Sequence, residues 1–139
     1  MAMRILPYLL AAAAALVVAS TPMAAATAPA PVIRYKDDQF GPILATPKKQ
    51  ALYYWNVEKR AGGKIRCTGA CARAWPPLYA KAVVPKRIAG IRGTFGTIRR
   101  PNGRRQITFN GLPIYTYAHE GPTQVLCNNV DGWFVVRVK

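Results

Sequence analysis

Short apolar and aromatic runs, broken every few residues by glycine or proline, set the pattern of this chain. No segment keeps a helical period over ten residues, so the pattern predicts short strands joined by turns. Phe40 to Ala45 reads as a strand and Pro47-Lys48-Lys49 as a turn. Gln50 to Val57 reads as a second strand, rich in aromatic and β-branched types. A basic loop follows around Gly62-Gly63. Thr68 is placed to cap a short helical turn through Cys71 and Ala74, which Pro76-Pro77 would stop. The stretch 79–92 reads weakly, with Val83-Val84 as a short strand. Thr94 to Arg99, Arg105 to Phe109, Ile114 to Ala118 and Trp133 to Val138 read as strands, with hairpin turns at Pro101-Asn102-Gly103 and Asn110-Gly111. The expected fold is mainly β: a single small antiparallel domain, a sandwich or distorted barrel, with one short helix near Cys67–Cys71.

Two of these strands repeat one another. Leu52-Tyr53-Tyr54-Trp55-Asn56-Val57-Glu58 returns 62 residues later as Ile114-Tyr115-Thr116-Tyr117-Ala118-His119-Glu120. Both read apolar, Tyr, any, aromatic, any, any, Glu. A Gly-x-Ile precedes each copy (Gly41 to Ile43, Gly96 to Ile98), and Trp75 and Trp133 follow them. The repetition predicts one domain, 33–139, made of related halves at about 40–80 and about 95–138. On a strand Tyr53 and Trp55 share a face, as do Tyr115 and Tyr117. Glu58 and Glu120 fall just past their strand ends, where a carboxylate accepts hydrogen bonds from turn N–H groups or pairs with a base. The structural reading makes these residues core aromatics and turn-fixing carboxylates. The alternative is a pseudo-symmetric ligand site in which both halves present Tyr and Glu to one cleft.

Residues 1–26 read as an export signal peptide: Arg4, an apolar run from Leu9 to Ala19, then Ala24-Ala25-Ala26 before a cleavage point at Thr27. The run is shorter than the ~20 residues of a spanning helix. No cysteine lies near the cleavage point to carry a lipid. Residues 27–32 are expected to be a disordered lead-in. The expected location is periplasmic or secreted, without a lipid anchor.

Export changes what the charge implies. Losing Arg4 takes the formal charge from +15 to +14, with five acids left against 19 bases. In an exported protein the matching partners are anionic lipid head groups, polysaccharide or acidic proteins, with nucleic acid disfavoured.

No catalytic set is recognisable. The only serine, Ser20, lies in the leader. There is no glycine-rich phosphate loop and no Cys-x-x-Cys redox motif, and no cofactor is called for. In an exported chain, Cys67 and Cys71 are candidates for a local disulfide, and Cys127 for a longer bridge to either, with one thiol left over. Cys67, Cys71, Cys127 and His119 are also the candidate metal ligands, a set suited to copper or zinc. Trp75, beside Pro76-Pro77, is expected either to dock under the sheet or to stack on a ligand ring.

Leu52-Tyr53-x-Trp55, Cys67-Thr68-Gly69-Ala70-Cys71-Ala72-x-x-Trp75-Pro76-Pro77-Leu78, Gln106-Ile107-Thr108-Phe109-Asn110-Gly111-Leu112-Pro113-Ile114-Tyr115 and Gly132-Trp133-Phe134-Val135-Val136 together resemble the bacterial "secreted repeat of unknown function" family, also described as predicted lipoproteins with a Yx(FWY)xxD motif. The resemblance covers about 40–138. It implies motif residues at Tyr53, Trp55 and Glu58 and at Tyr115, Tyr117 and Glu120. This chain carries Glu where that motif has Asp, and it lacks the lipobox cysteine of many relatives. The family implies no activity. The expected function is that of a non-enzymatic exported binding or envelope-associated module. The alternative is a redox or metal-handling protein built on the cysteines and His119.

Overall fold

Ile33 and Tyr35 alternate with the exposed Arg34 and Lys36, and this two-residue period makes β1, Ile33–Asp37. It pairs with β2, Gly41–Ala45, as an antiparallel hairpin. Asp37 fixes the turn: its Oδ1 accepts from the N–H groups of Gln39 and Phe40 at 2.9 and 2.8 Å. β3 (Tyr53–Trp55) follows, then α1 (Asn56–Arg60) and α2 (Ala70–Ala74). The second half holds β4 (Phe95–Arg99), β5 (Arg105–Phe109), β6 (Leu112–Pro113) and β7 (Trp133–Val135). The computed structural model describes residue 2, residues 11–24 and residues 28–139. Arg4, the start of the apolar run and the expected cleavage point lie outside the described residues. Residues 11–24 contain neither helix nor strand, and no helix among the described residues is long and apolar enough to cross a membrane.

The architecture is mainly β, in three small antiparallel sheets ordered β1-β2, β3-β7 and β4-β5-β6. These sheets do not close into a barrel, and among the described residues there are two short helices where one was expected. The additional one, α1, takes over where a continuous strand to Val57 was expected. The ladder to β7 ends at Trp55↔Trp133, with one more bond from Asn56 N–H to Gly132 O at 2.8 Å, and the backbone groups beyond it close on themselves. Thr68 does not cap α2; the residue before the helix is Gly69, with a φ of 56°. Val83-Val84 forms no strand, and Val83 is 98% exposed. The lead-in ends one residue earlier than expected, because Val32 is fully buried.

The halves are related more closely than the motif alone indicates. β1, β2 and β3 of the first correspond to β4, β5 and the β6–Tyr115 segment of the second. In the first half, Leu44 N donates to Val136 O, Val136 N to Leu52 O, and Leu52 N to Leu44 O, at 2.8–3.0 Å. In the second, Ile107 N donates to Leu78 O, Leu78 N to Ile114 O, and Ile114 N to Ile107 O, at 2.8–3.2 Å. Each ring therefore borrows one residue from the other half. The stretch after Trp75 pairs with the second half through Pro77↔Tyr115 and Tyr79↔Gln106. The stretch after Trp133 pairs with the first half through β3-β7 and Ile43↔Arg137. Two interlocked halves result, each closed by the other's last strand. The Gly-x-Ile segments are not equivalent, contrary to expectation: Gly41 to Ile43 lies in β2, whereas Gly96 to Ile98 lies in β4, the counterpart of β1.

The core is in two parts. Aliphatic side chains of both rings, including Leu44, Leu52, Ile107, Ile114 and Val136, form one cluster. The other is aromatic and sulfur-rich: Tyr53, Cys67, Trp75, Tyr115, Cys127 and Trp133. Gly63, with a φ of 85°, lets the loop after α1 lie on the Asn110-Gly111 turn, because a Cβ there would collide with the Gly111 carbonyl.

Candidate functional site

Tyr53 and Tyr115 meet at the centre of the domain. The N–H of each donates to the carbonyl of the other, at 2.8 and 2.9 Å, and both side chains are fully buried. Their hydroxyls cross between halves: Tyr53 donates to Glu120 Oε2 at 2.7 Å, and Tyr115 to Glu58 Oε2 at 2.8 Å. The same carboxylate oxygens fix the following loops. Glu58 Oε2 accepts from Arg66 N–H at 2.7 Å and Cys67 N–H at 3.1 Å, and Glu120 Oε2 accepts from Leu126 N–H at 2.9 Å. Cys127 N–H donates to the Tyr53 oxygen at 3.4 Å. Cys127 thus stands at the second-half position corresponding to Cys67.

The rings continue the pairing. Trp75 and Trp133 stack at 3.9 Å with planes 8° apart, and each receives the tyrosine of its own half edge-on, Tyr53 at 5.2 Å and Tyr115 at 5.1 Å. The second motif aromatic of each half crosses over: Trp55 stacks on Trp133 at 5.3 Å, and Tyr117 lies on Trp75 at 4.6 Å. His119 meets the edge of Tyr117, at the exposed end of the row. The tyrosine–glutamate bonds, the tyrosine–tryptophan edge contacts and the crossed ring stacks of one half thus each have a counterpart in the other, as an approximate two-fold relation requires. The motif tyrosines Tyr53 and Tyr115 are therefore interior, while Trp55 and Tyr117 are half-buried at the ends of the row. Trp75 lies under the sheet with its face covered, so it offers no surface for a ligand ring.

One feature breaks the symmetry. Arg100, a buried cation, donates to Gln106 Oε1 at 2.7 Å, to the Tyr115 oxygen at 3.3 Å and to the Cys67 carbonyl. Gln106 in turn donates to Ile114 O at 2.8 Å. The Glu58–Tyr115 pair thereby has a cation one hydroxyl away. The Glu120–Tyr53 pair has no such neighbour, and burial raises the Glu120 pKa despite the donors Leu126 and Tyr53, which act the other way. Burial is also the main cause that raises the Tyr53 and Tyr115 pKa values; the hydrogen bond and charge of Glu120 and of Glu58, respectively, add to it. Nothing in the linear pattern marked Arg100, which looks like any basic hairpin residue; Gln106 stood out only as the first residue of a segment that resembles the family.

The tyrosine shifts carry a definite sign. A hydroxyl whose folded pKa lies above its ordinary 10.0 contributes stability that is complete below pH 10 and is lost as the pH rises through the folded value. Glu120 behaves likewise above 4.5: its contribution is complete below that pH and declines as its folded proton is lost. We expect the wild type to lose stability above pH 10 more steeply than Tyr53→Phe or Tyr115→Phe, as followed by urea unfolding at stepped pH. Parallel slopes would show that the two hydroxyls are not the groups responsible.

Cys67 and Cys71 form a disulfide, with Cα atoms 5.2 Å apart, and Cys127 is a buried free thiol. Burial raises its pKa, and the charges of Glu120 and Asp131 add to the effect. Among the described residues no three His, Cys, Asp or Glu side chains come together as a metal site. Glu58 and Glu120, buried against the tyrosines, line neither of the two described clefts. Each leaves its Oε1 without a hydrogen-bond partner among the described residues.

This geometry defines a class: a small duplicated β protein whose halves interlock around paired Tyr–Glu hydrogen bonds and a tryptophan stack. Residues 35–79, from within β1 to the end of the first half, match the family described as "secreted repeat of unknown function", which the sequence also resembles. Comparison with curated proteins and with solved structures returns no match.

Proposed function

We propose that this protein is an exported, non-enzymatic binding or envelope-associated module whose basic surface engages anionic envelope material. The observation that carries this reading is where the acids are. Asp37, Glu58 and Glu120 are buried and committed to backbone and tyrosine donors, which leaves Asp38 and Asp131 as the exposed carboxylates. Among the described lysines and arginines only Arg100 is buried. The outer surface therefore carries a cationic field with little to cancel it, which favours anionic partners. A family described as secreted agrees with the leader read in the sequence, and with a periplasmic or secreted location. The interior placement of the repeated motif supports a scaffolding role for it, leaving binding to the surface.

Exposed charges are screened over about 10 Å at 0.1 M salt, so the binding should be strongly salt-dependent. Retention on phosphatidylglycerol vesicles or on acidic cell-wall polysaccharide is expected at low ionic strength, with release as salt rises. No retention on either at low ionic strength would overturn the reading. The redox or metal-handling alternative draws on the unpaired Cys127 beside Glu120. Thiol counting separates the two: one thiol, titratable only after unfolding, and no bound metal fits the structural bridge. Three thiols with copper or zinc bound would favour the alternative.

A further inference from the structure

On the face of β3 and β7 opposite the tryptophan stack lies an open cleft of about 490 Å³. That volume suits a ligand of one or two sugar rings. Its floor is aromatic: Tyr54 and Phe134 are directly opposed across the two strands and lie nearly parallel, 5.7 Å apart with planes 21° from each other. Both are partly exposed, unlike the buried Tyr53 and Val135 that alternate with them toward the core. One cation, Lys59 from α1, presents its charge to the cleft, its ammonium 5.5 Å from the Tyr54 ring centre; Arg137 borders the cleft but its guanidinium lies over the Phe40 ring at 5.3 Å, on the face it shares with Val135. No acidic side chain lines it.

Two amides complete the lining. Asn110 Oδ1 accepts from Thr94 N–H at 2.9 Å, and Asn128 Oδ1 accepts from Val135 N–H at 3.2 Å. The backbone thus holds the carbonyl end of each amide and leaves its NH₂ group as a donor without a hydrogen bond among the described residues. An aromatic platform, fixed amide donors and a cation without a counter-charge suit a ring with an apolar C–H face, a rim of hydroxyls and a negative charge.

We propose that this cleft binds an acidic polysaccharide, with one or two sugar units lying on Tyr54 and Phe134, hydroxyls accepting from Asn110 and Asn128, and a carboxylate held by Lys59. The inference rests on the basic-surface reading above and gives it a place and a ligand class. A flat lipid surface would use the cation but has no use for an aromatic floor flanked by amides.

The test is calorimetric titration of the full domain with a tetramer of galacturonic acid, with the matching neutral galactose oligomer and phosphatidylglycerol vesicles alongside. The acidic tetramer is expected to bind, and the neutral one to bind at least about tenfold more weakly. Lys59→Gln changes an exposed side chain, so folding should be unaffected; it should weaken binding about tenfold and lower its salt dependence. Tyr54→Ala should weaken it at least as much, with a melting curve to verify the fold. Lys81→Gln, Arg104→Gln and Arg105→Gln, around the second depression, should leave the affinity unchanged. If all cation variants weaken binding equally, or only vesicles bind, the cleft assignment is wrong while the basic-surface reading stands. If neither the tetramer nor the vesicles bind at low salt, both are wrong.

Discussion

Truncating Glu58 to alanine is expected to cost about 3–5 kcal/mol of folding stability, the range for breaking a buried, hydrogen-bonded charge. Its side chain is only 1% exposed, and one oxygen serves three donors: the Tyr115 hydroxyl, Arg66 N–H and Cys67 N–H. Alanine leaves all three without an acceptor, at about 1–3 kcal/mol for each donor that stays buried and dry. Domains of this size have about 5–15 kcal/mol in total, and each kcal/mol lost lowers the midpoint by about 4–8 °C. The melting temperature should therefore fall by about 15–30 °C. Glu120→Ala should cost less, because Glu120 serves only Tyr53 and Leu126 and burial already disfavours its charge. Double-mutant cycles sharpen the test. Glu58 should couple to Tyr115, and Glu120 to Tyr53, by about 1–3 kcal/mol, while Glu58 with Tyr53 should be close to additive. Coupling within each half, or a Glu58→Ala cost below about 1 kcal/mol, would contradict the crossed arrangement.

The motif that announces the duplication was legible, and so was its sidedness. A two-residue period places Tyr53 with Trp55 and Tyr115 with Tyr117 on one face, and those four side chains do join the same cluster. Most strands were legible too, because aromatic and β-branched runs ended at Gly or Asn-Gly. Periodicity tells which way a side chain points but not which chain segment lies opposite. The crossing of Tyr53 to Glu120 and of Tyr115 to Glu58, and the exchange of closing strands, therefore left no mark in the pattern. β1 did leave one, in the alternation of Ile33, Tyr35 and their basic neighbours. The Gly-x-Ile match misled because the hairpin turns differ: Asp37 to Gly41 in one half, Arg99 to Arg105 in the other, so like sequence falls on unlike strands. Only the contacts around Glu120 and Tyr53 reveal Cys127 as the second-half counterpart of Cys67.

Cutting the chain between Lys81 and Val84 is expected to leave the domain whole. This segment is the exposed join between the halves, and Val83 touches almost nothing. On either side the backbone is already anchored: before the cut Ala80 N–H donates across it to Arg105 O at 3.0 Å, and after it Phe95 N–H ties Lys86 O to the second half at 2.9 Å. A peptide link at this point mainly supplies effective concentration, of millimolar order for a short connection. The interlocking contacts do the holding: both Tyr–Glu bonds, the reciprocal Tyr53–Tyr115 backbone pair and the Trp75–Trp133 stack all run from one half to the other. A protein carrying a specific protease site in place of Ala82-Val83 should, once cleaved, elute as one species with its near-ultraviolet tryptophan signal intact, and separate only in denaturant. The halves expressed alone should each lack that signal, since each is missing the other's closing strand and half of the stack, and should regain it on mixing. If the first half alone unfolds cooperatively as a monomer, its strands close without their partner and the domain is two units side by side rather than one interlocked pair.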